Sequence, residues 1–360
     1  MASRPGCETP DSGKRIGTHA EPAGYIEDWP IPYSAAPACG GNVLKRMSWL
    51  GLLLVVGCRL AEVSTPGGED LLVVEAVLRS GAAEQILLLH RTVQDKQVRG
   101  EPNAQVRLRR EGGGEIVYQR APEPDPPIWP GPTQADRCVE RTNVGAPPMA
   151  TCYVSQAGSV AFVVPGASYE IDIQTPDGRQ LRGRTQLPGA FGFRGASALR
   201  AGSCVLTPNT PLDVAWSRSP GAWSYVADLE VRGLARALAP LGIRDVPDPL
   251  NLFGLAISDT DTTLLVPGDF GVFQRGELGN DLLVALQRGL PDGVEATLTL
   301  AAADRNYVNA VRGGRFNPSG NVRISTVAGD GVGVFGSIVP RILRIQVRSG
   351  TTRSPCVVPG

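Results

Sequence analysis

Cys58 is the residue whose surroundings most directly indicate a chemical reaction. It ends a segment in which two cations, Lys45 and Arg46, precede an apolar run over residues 49–56 and then Gly57. The apolar run is shorter than the ~20 residues that cross a bilayer, but it has the length of the hydrophobic region of a cleaved signal. A cysteine in this position is acylated on sulfur in bacterial lipoproteins. The sequence therefore predicts a signal peptide over residues 45–57 and a lipid on Cys58, the first residue of the mature protein.

Few other residues could support catalysis or bind a metal. His90 is the one histidine after Cys58, and it lies in a strand-like run. No G-x-S-x-G motif supplies a serine for a histidine-based triad. A zinc site would need more histidines or free cysteines than the chain offers. We therefore predict a protein that is not an enzyme, without catalytic residues, metal site or cofactor, and we expect His90 to be a half-buried strand residue.

Two further patterns have a chemical and a structural interpretation, and we favour the structural one. Asp259, Asp261 and Asp269 could supply oxygen ligands to calcium, but their spacing matches no EF-hand, so we expect solvated loop carboxylates. Residues 331–336 satisfy G-x-G-x-x-G. A dinucleotide site would also need a following helix and an acidic residue about 20 positions later, whereas Pro340 and a strand-like alternation follow. We expect a turn or bulge with close backbone contacts there.

Four cysteines remain after Cys58, which is an even number in the oxidising compartment that the signal predicts. They allow three disulfide connectivities. We favour Cys138 with Cys152, which closes a short loop, and Cys204 with Cys356, which ties the start of a second domain to the chain's end. Four buried free thiols are the alternative.

Composition indicates a folded chain. Its 360 residues, 42% of them apolar, could form two or three domains with cores. The 35 basic and 35 acidic residues cancel, so the charge gives no indication of a nucleic-acid partner. Residues 1–44 are rich in Gly, Pro and Ala and precede the signal, so we expect them to be a non-native or disordered extension.

Short strand-like runs follow a lipidated tether over residues 58–69. In the run at 169–175, Ile171 and Ile173 alternate with polar residues, which predicts one buried face, and Pro176-Asp177-Gly178 is the turn to the next run. Seven or eight such strands favour an immunoglobulin-like β-sandwich over residues 70–189, bounded near residues 187–189. The predicted strands are 71–78, 85–93, 104–110, 115–119, 159–164, 169–175 and 179–186.

Residues 123–132 contain too many prolines to form a regular strand. Trp129 lies in this stiff, extended loop. Aromatic side chains on rigid loops often contact partners, so Trp129 is our candidate for a partner contact. Packing of Trp129 against its own sandwich is the alternative.

A second β domain is predicted over residues 203–357. Residues 212–216 and 222–226 resemble the opening strand pair of a fibronectin type III module, in which a buried tryptophan packs between sheets. Asp304 is a plausible N-cap for a short helix through Val311, ended by Gly313-Gly314. The complete fold expected is all-β, with two antiparallel β-sandwich domains and one or two short helices in the second. Other elements predicted here are a helical turn over 233–241 and strands over 263–266, 281–286, 295–301, 321–327 and 341–347.

Several short segments together resemble a family of uncharacterised bacterial lipoproteins. Members occur in Bacteroidetes and related phyla, are catalogued as a domain of unknown function, and are often encoded beside TonB-dependent outer-membrane receptors. The family implies no catalytic residues. The segments are Cys58, residues 71–76, Asp304-Arg305-Asn306-Tyr307, Phe316-Asn317-Pro318 and residues 331–336.

The signal, the strand pattern and the resemblance lead to one expectation of function. We expect a lipid-anchored, non-enzymatic protein of the outer membrane, on its periplasmic or cell-surface face, that is an accessory or ligand-binding component of an uptake system. The resemblance implies a TonB-dependent receptor as partner. Arg59, rather than aspartate, after Cys58 favours the outer membrane. The alternatives are a surface hydrolase of polysaccharide or peptide that uses carboxylates, and a purely structural envelope lipoprotein.

Overall fold

The structure is a computed structural model, and the predictions for Cys58, Trp129, Cys138 and residues 1–68 lie outside the residues it describes. Residues 64–360 group into one compact unit. Within the described part of the chain, no helix combines the length and apolar character needed to span a membrane. The described residues are 69–92, 99–121, 150–155, 158–256, 258–270, 279–313, 324–350 and 354–357.

Strands dominate the described residues. They are β1 (Leu72–Arg79), β2 (Ile86–Arg91), β3 (Gln105–Arg110), β4 (Glu115–Arg120), β5 (Thr151–Ser155), β6 (Ser168–Gln174), β7 (Gln180–Gln186), β8 (Ser203–Leu206), β9 (Leu212–Ala215), β10 (Ser224–Arg232), β11 (Leu250–Leu255), β12 (Thr263–Val266), β13 (Glu295–Ala303), β14 (Val327–Gly329) and β15 (Gly331–Val347). The helices are α1 (Ser159–Phe162), α2 (Ser197–Arg200), α3 (Leu234–Leu238), α4 (Asn280–Gln287) and α5 (Arg305–Gly313), with a 3₁₀ turn at Ala239–Leu241.

Thirteen strands form one mixed sheet, and β9 and β12 form a second, two-stranded sheet. The large sheet has the order β11-β10-β13-β15-β1-β2-β5-β4-β3-β6-β7-β14, with β8 also paired to β15. Thr326, the residue before β14, donates its N–H to Gly333 O of β15 (2.9 Å), so the chain around β14 is also hydrogen-bonded to β15. The mostly-β prediction is confirmed, but the sheet is not purely antiparallel, because β1 and β8 both run parallel to β15.

The long strand β15 joins the first half of the described chain, which contains β1–β7, to the second half, which contains the later strands. Its first residues pair with β1 and its later residues pair with β13. One apolar cluster includes Ile171 and Ile173 of the first half and Leu298 and Leu343 of the second, all fully buried. Burial of each such side chain stabilises the fold by ~2 kcal/mol. The large sheet and the apolar cluster thus both contain residues from either side of the boundary predicted near residues 187–189. The division into two domains stays a prediction.

The strand predicted over residues 159–164 is wrong, because residues 159–162 form α1. Ser159 is fully buried and its hydroxyl lies 2.6 Å from Ala83 O, the carbonyl to which it donates. A short apolar run fits a strand or a helix equally well. Here a tertiary contact with the loop after β1 decides between them.

The strand predicted over residues 281–286 is also wrong, because these residues lie in α4. Leu282 and Leu286 are buried, whereas Val284 is exposed. A strand would place all three side chains on one face, but a helix places residues i and i+4 together. The spacing of the two leucines was therefore helical.

The strand pair predicted from residues 212–216 and 222–226 does not form. β9 pairs with β12, while β10 pairs with β11 and β13 in the large sheet. One tryptophan of these segments, Trp216, is nevertheless buried, and it packs edge-to-face on Tyr225 with ring centroids 5.2 Å apart, whereas Trp223 is exposed. The strand predicted over 321–327 begins only at Val327 among the described residues.

Candidate functional site

A polar cleft of about 580 Å³ lies where the first-half strands meet the start of α5. Three of its walls come from the ends of β3, β6 and β7, and the fourth comes from the residues that open α5. Its volume is within the range of small-molecule sites, ~300–1,000 Å³. Residues 109–111, 168–170, 184–186 and 304–306 line the cleft together with Gly221. We call it the junction cleft.

The junction cleft lies at the opposite end of β7 from Asp70, a residue that precedes β1. At the beginning of β7, Arg179 donates to Asp70 O and Gln180 N donates to Asp330 Oδ2 (2.8 Å). At the end of the same strand, Arg184 and its neighbours line the cleft. Because a strand rises about 3.3 Å per residue, the two ends are ~20 Å apart.

Asp304 connects α5 to both β7 and β15. Its Oδ1 accepts from Tyr307 N (2.9 Å) and Ser337 N (3.0 Å), and its Oδ2 accepts from the Thr185 hydroxyl (2.6 Å). The bond to Tyr307 confirms the predicted N-cap. Burial raises the pKa of Asp304, although these hydrogen bonds oppose the increase. The carboxylate is therefore committed to positioning the helix beside the cleft.

Asn306 adds a second clamp on the start of α5. Its Nδ2 donates to Arg184 O (2.8 Å) and to Phe335 O (2.9 Å), so one amide joins the helix to β7 and β15. The helix also lies directly on Gly336, where a Cβ would be 2.8 Å from Tyr307 N. Only glycine allows this close approach without moving the helix.

A Gly336→Ala substitution is expected to lower the free energy of unfolding by roughly 1–3 kcal/mol, since overpacking of a close contact costs about that much. Thermal unfolding monitored by circular dichroism measures the change. Gly192→Ala is the matched control, because a Cβ at Gly192 meets nothing within 4 Å. Equal melting temperatures for the two variants would contradict the close packing of α5 on β15.

The arginines of the cleft fall into two groups. Arg109 pairs with Glu115 (2.7 Å), and Arg184 pairs with Glu170 (2.9 Å). Arg110 and Arg305 pair with no carboxylate among the described residues. Two of the four lining guanidinium groups are thus without an opposite charge.

The second predicted disulfide is present: Cys204 and Cys356 are joined. Both residues are buried. Cys152 is also disulfide-bonded, and it lies in β5 opposite Leu88. Since Cys138 lies outside the described residues, the Cys138–Cys152 pairing stays a prediction.

Other described candidates, His90, Asp259 and Asp269, are not among the residues that line the junction cleft. His90 is a half-buried residue of β2 whose Nδ1 is 2.9 Å from Arg91 O. Asp259 pairs with Arg218, and Asp269 Oδ2 accepts from Leu265 N (2.7 Å). Among the residues that the structure describes, no group of three or more His, Cys, Asp or Glu side chains could hold a metal ion.

The G-x-G-x-x-G segment is the beginning of β15, so the expected turn or bulge is wrong. The expected close backbone contacts are found, because a Cβ at Gly333 would collide with Val74 O of the parallel strand β1. Gly333 also has φ +145°, which disfavours other residues. The glycines serve strand packing.

Sequence reasoning missed the residues that line the junction cleft. It assigned Asp304 only a capping role and gave the arginines no binding role. Arg110 and Glu111 stand at the end of a strand before the Gly112-Gly113-Gly114 turn, a position that favours exposed functional residues. Nothing in the sequence places Arg305 beside them.

The fold and the cleft define a mostly-β protein with a polar site between strand ends and a short helix. Residues 61–190 match the model of a protein family described as a domain of unknown function (DUF4249). This match includes the three strand ends that line the cleft but not residues 304–306. No curated protein matches the chain.

Proposed function

We propose that this protein is a lipid-anchored, non-enzymatic, ligand-binding component of an outer-membrane uptake system. The observation that carries the proposal is the junction cleft, a polar cavity of about 580 Å³ in which two arginines lack a carboxylate partner among the described residues. A cavity with a few convergent polar groups is suited to hold a small molecule. The positive charges of Arg110 and Arg305 favour ligand binding over a passive structural role.

The position of the cleft is compatible with the proposed anchor. In the proposed arrangement the lipid is on Cys58 and the tether over residues 58–69 leads to Asp70. The junction cleft is ~20 Å from Asp70 along β7. We propose that the cleft, at the other end of β7 from Asp70, remains open to ligand in the anchored protein.

The finer family and fold assignments belong to the same proposal. We propose that the chain is related to the Bacteroidetes lipoproteins that it resembles, with a TonB-dependent receptor as partner. We also propose that β1–β7 adopt an immunoglobulin-like sandwich. The alternating burial of β1 and β7 supports this arrangement, since it gives each strand one buried and one exposed face.

A Cys58→Ser substitution is expected to abolish lipidation and leave the signal peptide uncleaved, because oxygen does not replace the acylated sulfur. Metabolic labelling with radioactive palmitate and membrane fractionation would measure the loss. Ser64→Ala is the control, since Ser64 lies in the predicted tether beyond Cys58. Normal labelling and processing of the Cys58→Ser protein would refute the anchor.

The partner is tested separately by crosslinking in the native membrane with a tag after Gly360, followed by mass spectrometry. A TonB-dependent receptor recovered with the protein would support the uptake role. Recovery of the lipidated protein alone would contradict that role and leave the anchor in place.

A further inference from the structure

Two arginines on different walls of the junction cleft are each held on an aromatic ring. The Arg110 guanidinium carbon is 5.4 Å from the centroid of the Phe162 ring. The Arg305 guanidinium carbon is 5.3 Å from the centroid of the Trp223 ring. Arg110 belongs to β3 and Arg305 to α5, so the cleft brings together cations from both halves of the chain.

Stacking on an aromatic ring orients a guanidinium group without neutralising it. The ring face attracts the cation, while the N–H donors lie in the guanidinium plane and remain able to bind an anion. The other two arginines of the cleft differ, because Glu115 and Glu170 already pair with them. Arg110 and Arg305 therefore provide one cavity with two cations that are held by aromatic rings and form no ion pair with the described residues.

The remaining lining groups suit a polar ligand. Ser168, Tyr169 and Asn306 line the cavity beside the charged residues. The Tyr169 hydroxyl already donates to Phe162 O and the Asn306 amide to Arg184 O and Phe335 O, so the charged residues provide most of the groups that can bind a ligand. Glu111 also lines it, and no described residue forms an ion pair with this carboxylate. A bound anion would be attracted by the two arginines and repelled by Glu111.

We propose that the junction cleft binds a small organic anion, whose carboxylate or phosphate group is held between Arg110 and Arg305. This inference rests on the proposed ligand-binding function and specifies the ligand's chemistry. Arginine binds both oxyanions through paired, charge-assisted hydrogen bonds.

Isothermal titration of the purified full-length protein tests the inference. The probes are citrate, glucuronate and glucose 6-phosphate, with glucose as the neutral counterpart of the two sugar anions. We expect at least one anion to bind and glucose to bind more weakly. Arg110→Gln and Arg305→Gln should each weaken anion binding about tenfold or more, as expected for loss of a charge-assisted hydrogen bond.

Two further variants make the result specific. Arg344→Gln is the matched control, because Arg344 is exposed, lies outside the cleft and forms no ion pair with the described residues. It should bind like the wild type. Glu111→Gln should bind the anion more tightly, since it removes a like charge.

The outcomes separate the site from the general function. If no probe anion binds, or if Arg344→Gln loses as much affinity as the cleft variants, the proposed anion site is overturned. If an anion binds equally to the wild type and to both cleft variants, the ligand-binding function stands but the site is wrong. Palmitate labelling at Cys58 tests the lipid anchor separately, whatever the binding experiments find.

Discussion

Replacing both Cys204 and Cys356 with alanine is expected to lower the free energy of unfolding by about 5 kcal/mol. The disulfide closes a loop with a sequence separation of 152 residues. In the chain-entropy model, a crosslink over so long a loop removes conformational freedom from the unfolded chain and contributes ~5 kcal/mol, near the top of the usual range. Alanine suits both positions because both are buried.

The disulfide also holds the chain's last described residues against the sheet. Val205 N donates to Ser354 O and Cys356 N donates to Val205 O, each at 2.9 Å. Denaturant unfolding of wild type and the double variant measures the loss, and Cys152 is unchanged in both proteins. In thermal unfolding, the melting temperature of the double variant is expected to be lower than that of the wild type by roughly 5–10 °C. A difference below about 1 kcal/mol would mean that the crosslink does not constrain the unfolded chain as the entropy model requires.

Asp304→Ala is expected to lower the free energy of unfolding by about 3 kcal/mol. The change removes a helix cap, which contributes ~1 kcal/mol. It also leaves the Ser337 amide without its acceptor in a buried place, which costs ~1–3 kcal/mol, whereas the Thr185 hydroxyl can still donate to Ser337 Oγ (2.9 Å). Asp304→Asn is the matched control, because an amide oxygen can still accept from Tyr307 N and Ser337 N. Chemical unfolding that finds the two variants equally stable would contradict the capping role.

A comparison of the wild type with Asp304→Asn over a range of pH tests the raised pKa of Asp304. Burial favours the protonated carboxyl of Asp304 in the folded state. The protonated side chain therefore makes its full contribution to stability below the pKa of an ordinary aspartate, about 4. That contribution is lost as the pH rises through the raised folded pKa. Wild type should therefore lose stability relative to Asp304→Asn as the pH rises from acid to neutral. A difference that is constant with pH would show that Asp304 has an ordinary pKa.

The sequence predicted strands well where burial alternates in steps of two. Ile171 and Ile173 are fully buried in β6, within one residue of the predicted bounds. It failed for short apolar segments, where contacts distant in sequence decide the structure. Ser159 illustrates the failure, because its bond to Ala83 O belongs to the tertiary fold.

The junction cleft could be predicted only in part. The capping role of Asp304 follows from local sequence, since an N-cap is a property of the residues around a helix start. The meeting of Arg110 with Arg305 does not, because it depends on β15 pairing with β1 at one end and β13 at the other. Such register over long separations is not encoded in any single segment.

The parallel pairing of β1 with β15 has a mechanical consequence. The eight residue pairs from Leu72–Gly331 to Arg79–Ile338 lie side by side along one direction. Tension applied between Leu72, at the start of β1, and Val347, at the far end of β15, runs along both strands. Their hydrogen bonds then resist in shear, sharing the force together instead of opening one after another. The strand pair is suited to transmit a pull from Leu72 to Val347.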